Sequence, residues 1–160
     1  MTRIIKIAAA AFIGSMGLLF FLDNLFNLQS AYTATSFVVS GAEQPYYKIL
    51  GPTVHASWLT WLSLFVIMAA ELAVGVLGFL GALQMIKARA GSQDGFDTAK
   101  SYALAAGALG MIVWYGFFVV LGEAYFHMWQ TETGLASVEG AFRYGTVCAV
   151  LMFYIGSKND

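Results

Sequence analysis

Charge is what this chain has least of. Lysine, arginine, aspartate and glutamate make up 11% of its 160 residues, whereas a soluble domain carries about 25%. That is too little to coat a water-facing surface. The net charge of −1 also lacks the basic excess that nucleic acid selects, so nucleic acid is not an expected partner. The one cysteine, Cys148, cannot form an internal disulfide. It lies in the last apolar stretch and reads as a small packing residue. With 2 prolines and no low-complexity tract, nothing resembles a linker, and one domain over 1–160 is expected. HExxH, CxxC, GxSxG and phosphate-loop patterns are all missing. The one glycine-rich run, GVLGFLG, lies inside an apolar helix and is packing chemistry. No enzyme is expected in this chain alone, and no cofactor other than a bound lipid or quinone.

Apolar runs are what the chain has instead. Hydrophobic residues make up 59% of it and the mean hydropathy is +0.72. A run of about 18 or more apolar residues is long enough to cross a bilayer. Four such segments predict helices over 4–22, 55–86, 102–129 and 141–156. The expected fold is all-α, an integral membrane four-helix bundle. The third segment is apolar as far as Leu121 and continues as GEAYFHMWQ. The second is roughly 48 Å long at 1.5 Å per residue, so it must tilt or project. The opening Met-Thr-Arg-Ile-Ile-Lys imitates a signal peptide. No small-x-small site follows Leu22, so an uncleaved first helix is expected.

Lysine and arginine accumulate on the cytoplasmic side of membrane proteins. With the N-terminus inside, Arg3, Lys6, Lys87, Arg89, Lys100 and Lys158 lie inside, against Lys48 and Arg143 outside. Both termini are therefore expected in the cytoplasm. The outer segments hold Asp23, Glu43, Glu123, Glu132 and Glu139. Trp58, Trp61, Tyr125 and Trp129 suit the outer headgroup belt. The connection from Asp23 to Val54 is long, contains Pro45 and Pro52, and includes TSFVVSG, which reads as a short strand or a helical turn. A long external loop is expected there, folded over the outer mouth.

Small residues let helices approach closely in lipid. Gly75, Gly78, Gly81 and Ala82 form one stripe, and Ala103, Ala106, Gly107 and Gly110 another. These stripes are expected to face each other. Glu71 lies deep in the second helix, where an ionised carboxylate costs about 2.5 kcal/mol or more. Arg143, which cannot lose its charge, is its expected partner. Asp23, Asn24, Glu123, Trp129 and Gln130 come from the same level and complete an expected polar cluster. Such a cluster can be a clamp on helix register, a pocket for a lipid headgroup, quinone or small ligand, or a path for protons or ions. Glu123 and His127 share a helix face and His55 opens the second helix, so the three are weak metal candidates.

GEAYFHMWQ (122–130), AFRYG (141–145), the Asp23-Asn24-Leu25 step and Glu71 within AAELAVGVLGFLGAL resemble the DUF2165 family of predicted small bacterial integral membrane proteins. Matching positions are Asn24, Leu25, Glu71, Gly122, Glu123, Met128, Trp129, Gln130, Ala141, Phe142 and Arg143. The resemblance implies a bacterial cytoplasmic-membrane protein without an assigned activity. His127 falls where the family pattern does not require histidine, which weakens the metal reading. The leading functional expectation is a non-catalytic accessory or assembly subunit that docks on another membrane protein or forms a homo-oligomer. The alternatives are a lipid- or quinone-binding protein that uses the Arg143 region, and a small transporter or proton-coupled channel.

Overall fold

Four helices are long and apolar enough to cross a membrane, and they organise the computed structural model. It describes residues 1–42, 44–49 and 51–158; Glu43, one of the expected outer acids, lies outside the described residues. Among the described residues there is no strand. The first span is α1 (Thr2–Phe26). The second is α3 (Ser57–Ala88). The third is a column of three pieces: α4 (Gln93–Ala99), α5 (Ser101–Met111) and a π-helix, π1 (Ile112–Tyr125). The fourth is α6 (Glu132–Gly156). Both chain ends meet at one end of the bundle, here called proximal; the opposite end is distal.

The long connection after α1 is not a loop throughout. It holds a helix, α2 (Leu28–Ser40). The break before it sits at Asn27, whose backbone N–H and side-chain Nδ2 both bond the Asp23 carbonyl, at 3.0 and 2.9 Å. That local side-chain bond competes with helix propagation. Thr33 and Thr35 are absorbed into α2 by donating to the carbonyls of Gln29 and Ala31. Of the two readings of TSFVVSG, strand or helical turn, the structure has the helical one: it is the end of α2, closed by Gly41 at φ +66°, a conformation that glycine adopts without penalty. The Tyr32 ring stacks on Trp61 of α3, with centroids 4.4 Å apart.

The third and fourth spans differ from their expected limits for identifiable reasons. The column becomes π-helical at Ile112, and its last bond runs from Phe126 N to Leu121 O, five residues back. π-helical winding normally occupies single turns, so 14 residues of it are unusual. The column ends when His127 adopts φ +53°, and Met128–Gln130 form a 3-10 turn. Helix α6 starts earlier than expected because Thr131 caps it, its Oγ1 accepting from Gly134 N at 3.1 Å.

The small residues pack differently from the expected pairing of stripes. A Cβ on Gly78 would lie 2.5 Å from the backbone N and Cα of Gly14, and one on Gly17 would lie 2.7 Å from Glu71 O and Gly75 N. Gly75 and Gly78 therefore face α1, not the third span. Of the glycines, only Gly81 meets the expected partner, Ala103. Gly107 and Gly110 face Met152 and Cys148 of α6. Ala82 is buried in the core they enclose. Phe20, Trp114 and Tyr144 join α1, π1 and α6 through a triangle of ring contacts at 4.7–6.1 Å.

At the proximal end, three of the basic residues that set the charge asymmetry are internal ties. Arg3 donates to the carbonyls of Arg89 and Gly91 and to Gln93 Oε1. Lys6 and Lys100, both fully buried, donate to the Ser157 carbonyl, and Lys100 also pairs with Asp97. Burial of these amines demands such partners. Phe96 lies between the Arg3 and Lys100 cations.

Candidate functional site

Glu71 lies about 21 Å along α3 from Ser57 and is buried. Its partner is Asn24, whose Nδ2 donates to Glu71 Oε2 at 2.9 Å. The pair exists because Gly17 and Gly75 bring α1 and α3 into contact one level below. Arg143 does not join it. The Arg143 side chain is 75% exposed and its ion-pair partner is Glu139, one turn earlier on α6, at 3.6 Å. Arg143 stands midway along α6, and its long side chain reaches back toward the polar first turns of that helix. An exposed pair of this kind contributes little, about 0–1 kcal/mol.

The remaining expected cluster residues also separate. Gln130 is buried and fully engaged: its Oε1 accepts from the N–H groups of Tyr46 and Tyr47, and its Nε2 donates to Gln44 Oε1 and Tyr47 O, all at 2.7–2.9 Å. It pins the connector beyond α2 to the distal turn. Trp129 packs its ring on Tyr47, centroids 5.7 Å apart. Asp23 accepts from Asn27. Glu123 is half-buried and makes no hydrogen bond or ion pair with a described residue. Instead of one polar cluster there are separate places: Asn24–Glu71, Asp23 with Asn27, the Gln130 pin, Glu123 by itself, and the Arg143–Glu139 pair on the surface.

The three metal candidates do not converge. Among the described residues, no three His, Cys, Asp or Glu side chains gather as a ligand set. His55 Nε2 bonds Thr53 Oγ1 at 2.8 Å. His127 forms a triangle of ring contacts with Tyr47 and Trp129, its Nδ1 buried without a hydrogen bond to any described residue.

The distal half contains a cavity of about 1100 Å³ between α2, α3, π1 and α6. That is just above the roughly 300–1,000 Å³ of small-molecule sites. Val38, Leu62, Ile67, Phe117, Phe118 and Leu121 supply apolar walls. Hydroxyl and amide side chains from α2 and the start of α6 supply polar lining. Asn24 lines it too, so one side chain touches both the cavity and the Glu71 carboxylate. Sequence reasoning reached Asn24 but missed the cavity, because one wall is α2. The signal available was the Thr/Ser spacing in SAYTATS, which suits a helix whose hydroxyls bond back to its own carbonyls.

The fold and this site define a multi-pass integral membrane bundle with a ligand-sized cavity in one half. The family model of DUF2165, described as predicted small integral membrane protein, matches residues 2–157. The chain belongs to that family. No curated protein and no solved structure matches the chain.

The geometry predicts opposite outcomes for two substitutions. Asn24→Leu leaves a buried carboxyl without its donor and should destabilise the bundle by about 1–2 kcal/mol. Arg143→Leu removes only a pair on the outer face of a membrane span, where a charge is itself costly, and should leave stability equal to or above the wild type. Unfolding in mixed micelles by SDS titration measures both.

Proposed function

We propose that this protein binds an amphiphilic molecule of the membrane, lipid- or quinone-like, in the distal cavity. The observation that supports this is the cavity itself: about 1100 Å³ with apolar walls and polar groups at its α2 and α6 sides. A recess of this size, open to the bilayer along Leu62, Val66 and Leu121, suits an amphiphile entering from the membrane, so amphiphile binding takes precedence over the accessory-subunit reading. The binding site is the cavity and not the Arg143 region, since Arg143 points outward with Glu139. On the charge asymmetry, we place the chain in a bacterial inner membrane with cytoplasmic termini. The cavity then opens in the outer leaflet.

The test is extraction of the protein purified in mild detergent, with bound amphiphile counted per chain. The wild type should retain about one molecule per chain of a species enriched over bulk lipid. Val38→Trp and Ser63→Phe fill the cavity from facing walls and should each lose it while melting near the wild-type temperature. Bulk lipid composition in all three preparations would overturn the proposal. Co-purification of a larger membrane protein at fixed stoichiometry would restore the accessory reading.

A further inference from the structure

We infer that the occupant of the distal cavity has a cationic, hydrogen-bond-donating head, an ammonium group, and not a phosphate or carboxylate. This rests on the amphiphile-binding reading and specifies its ligand. The lining hydroxyls send their protons away from the cavity. Thr33 Oγ1 donates to Gln29 O, Thr35 Oγ1 to Ala31 O, Ser63 Oγ to Leu59 O and Ser137 Oγ to Thr133 O, all at 2.8–2.9 Å. All four residues line the cavity. A hydroxyl has one proton and two acceptor lone pairs. With the proton committed to a carbonyl one turn back, only acceptor capacity is left for a ligand.

The starts of α2 and α6 also line the cavity and bring backbone N–H donors, and a carboxylate stands at each to offset them, Asp23 bonded to Asn27 and Glu132 in the first turn of α6. Thr131 Oγ1 donates to Met128 O and accepts from Gly134 N, so it has little left to offer. Asn24 gives one amide proton to Glu71. Donors remain on Gln29, Ser30 and Thr133, but no lysine, arginine or histidine is among the described lining residues. A phosphate or carboxylate needs several N–H or O–H donors, best supplied by cations. An ammonium carries three donors and no acceptor, which is the complement of this lining. Its charge also meets the Glu132 carboxylate at the exposed rim.

The experiment uses the full chain in a neutral maltoside detergent. Dodecylammonium, dodecyl phosphate and dodecanol are added separately, each below its own micelle concentration. Melting temperature and binding isotherms are recorded. Dodecylammonium should raise the melting temperature saturably and bind at least about tenfold more tightly than dodecyl phosphate. Glu132→Gln should weaken dodecylammonium several-fold, leave dodecanol unchanged, and lower the ligand-free melting temperature only slightly, since Glu132 is exposed and gives the start of α6 only its charge. Val38→Trp should abolish both. Equal or tighter binding of dodecyl phosphate overturns the ammonium assignment while the cavity stands as an amphiphile site. Equal binding of all three does the same. If none of the three binds, the ammonium assignment falls; co-purified amphiphile from native membranes decides separately whether the cavity reading falls with it.

Discussion

Gly78→Ala should be among the most damaging single-methyl changes in this protein. The added Cβ would lie 2.5 Å from the backbone of Gly14 and 3.1 Å from the Ala10 carbonyl. Neither is the flexible tip of a side chain, so α1 and α3 must separate. Overpacking of this kind costs about 1–3 kcal/mol. Here it also loosens the neighbouring Gly17–Gly75 contact that holds Asn24 against Glu71, which places the effect at the upper end of that range. Gly17→Ala should behave alike, because its Cβ would meet Glu71 O and Gly75 N. Gly140→Ala is the control. Its Cβ meets only Tyr144 Cε2, at an ordinary 3.7 Å, and alanine is the better helix former by about 1 kcal/mol. Unfolding in mixed micelles should rank Gly140→Ala at or above the wild type and the other two well below it.

Gln130→Leu should release the distal connector without melting the bundle. The glutamine makes four hydrogen bonds to Gln44, Tyr46 and Tyr47. Leucine keeps much of the volume but leaves the Tyr46 and Tyr47 amides without their acceptor. Each unsatisfied buried group costs about 1–3 kcal/mol, reduced here because the Tyr46 and Tyr47 side chains reach the surface. A loss of roughly 2–3 kcal/mol corresponds to about 30- to 150-fold faster cleavage in limited proteolysis between residues 41 and 56. The melting temperature of the four spans should move little. Protection equal to the wild type would mean that Pro45 and Pro52, with the Tyr125–Pro52 bond, hold the connector alone.

The four spans were legible because bilayer thickness demands a length of apolar sequence that few other structures need. Helix α2 was not. Thr33, Thr35, Val38 and Val39 are β-branched and favour strands in isolation, and what overrides that is packing on α3 together with back-bonding to their own carbonyls. The glycines were legible as contact residues but not as pairs. Spacing tells which face a residue occupies, and it cannot tell which helix arrives there; Gly14 and Gly17 went unnoticed for the same reason. Rarity of charge in apolar sequence pairs Arg143 with Glu71. The actual partners are nearer or uncharged: Glu139, one turn away on the same helix, for Arg143, and Asn24, at the end of α1, for Glu71. The π-helical winding of Ile112–Tyr125 leaves no mark on hydropathy, yet it presents Phe117, Phe118 and Leu121 to the cavity.

Structure determination in nanodiscs of native lipid tests the central claim most directly. The account predicts an elongated non-protein density between α2, α3, π1 and α6, its tail against Phe117 and Phe118 and its head near Thr33, Ser137 and Glu132. Helix α2 lying away from α3 in the headgroup layer, or a cavity closed by side chains with no such density, would contradict it.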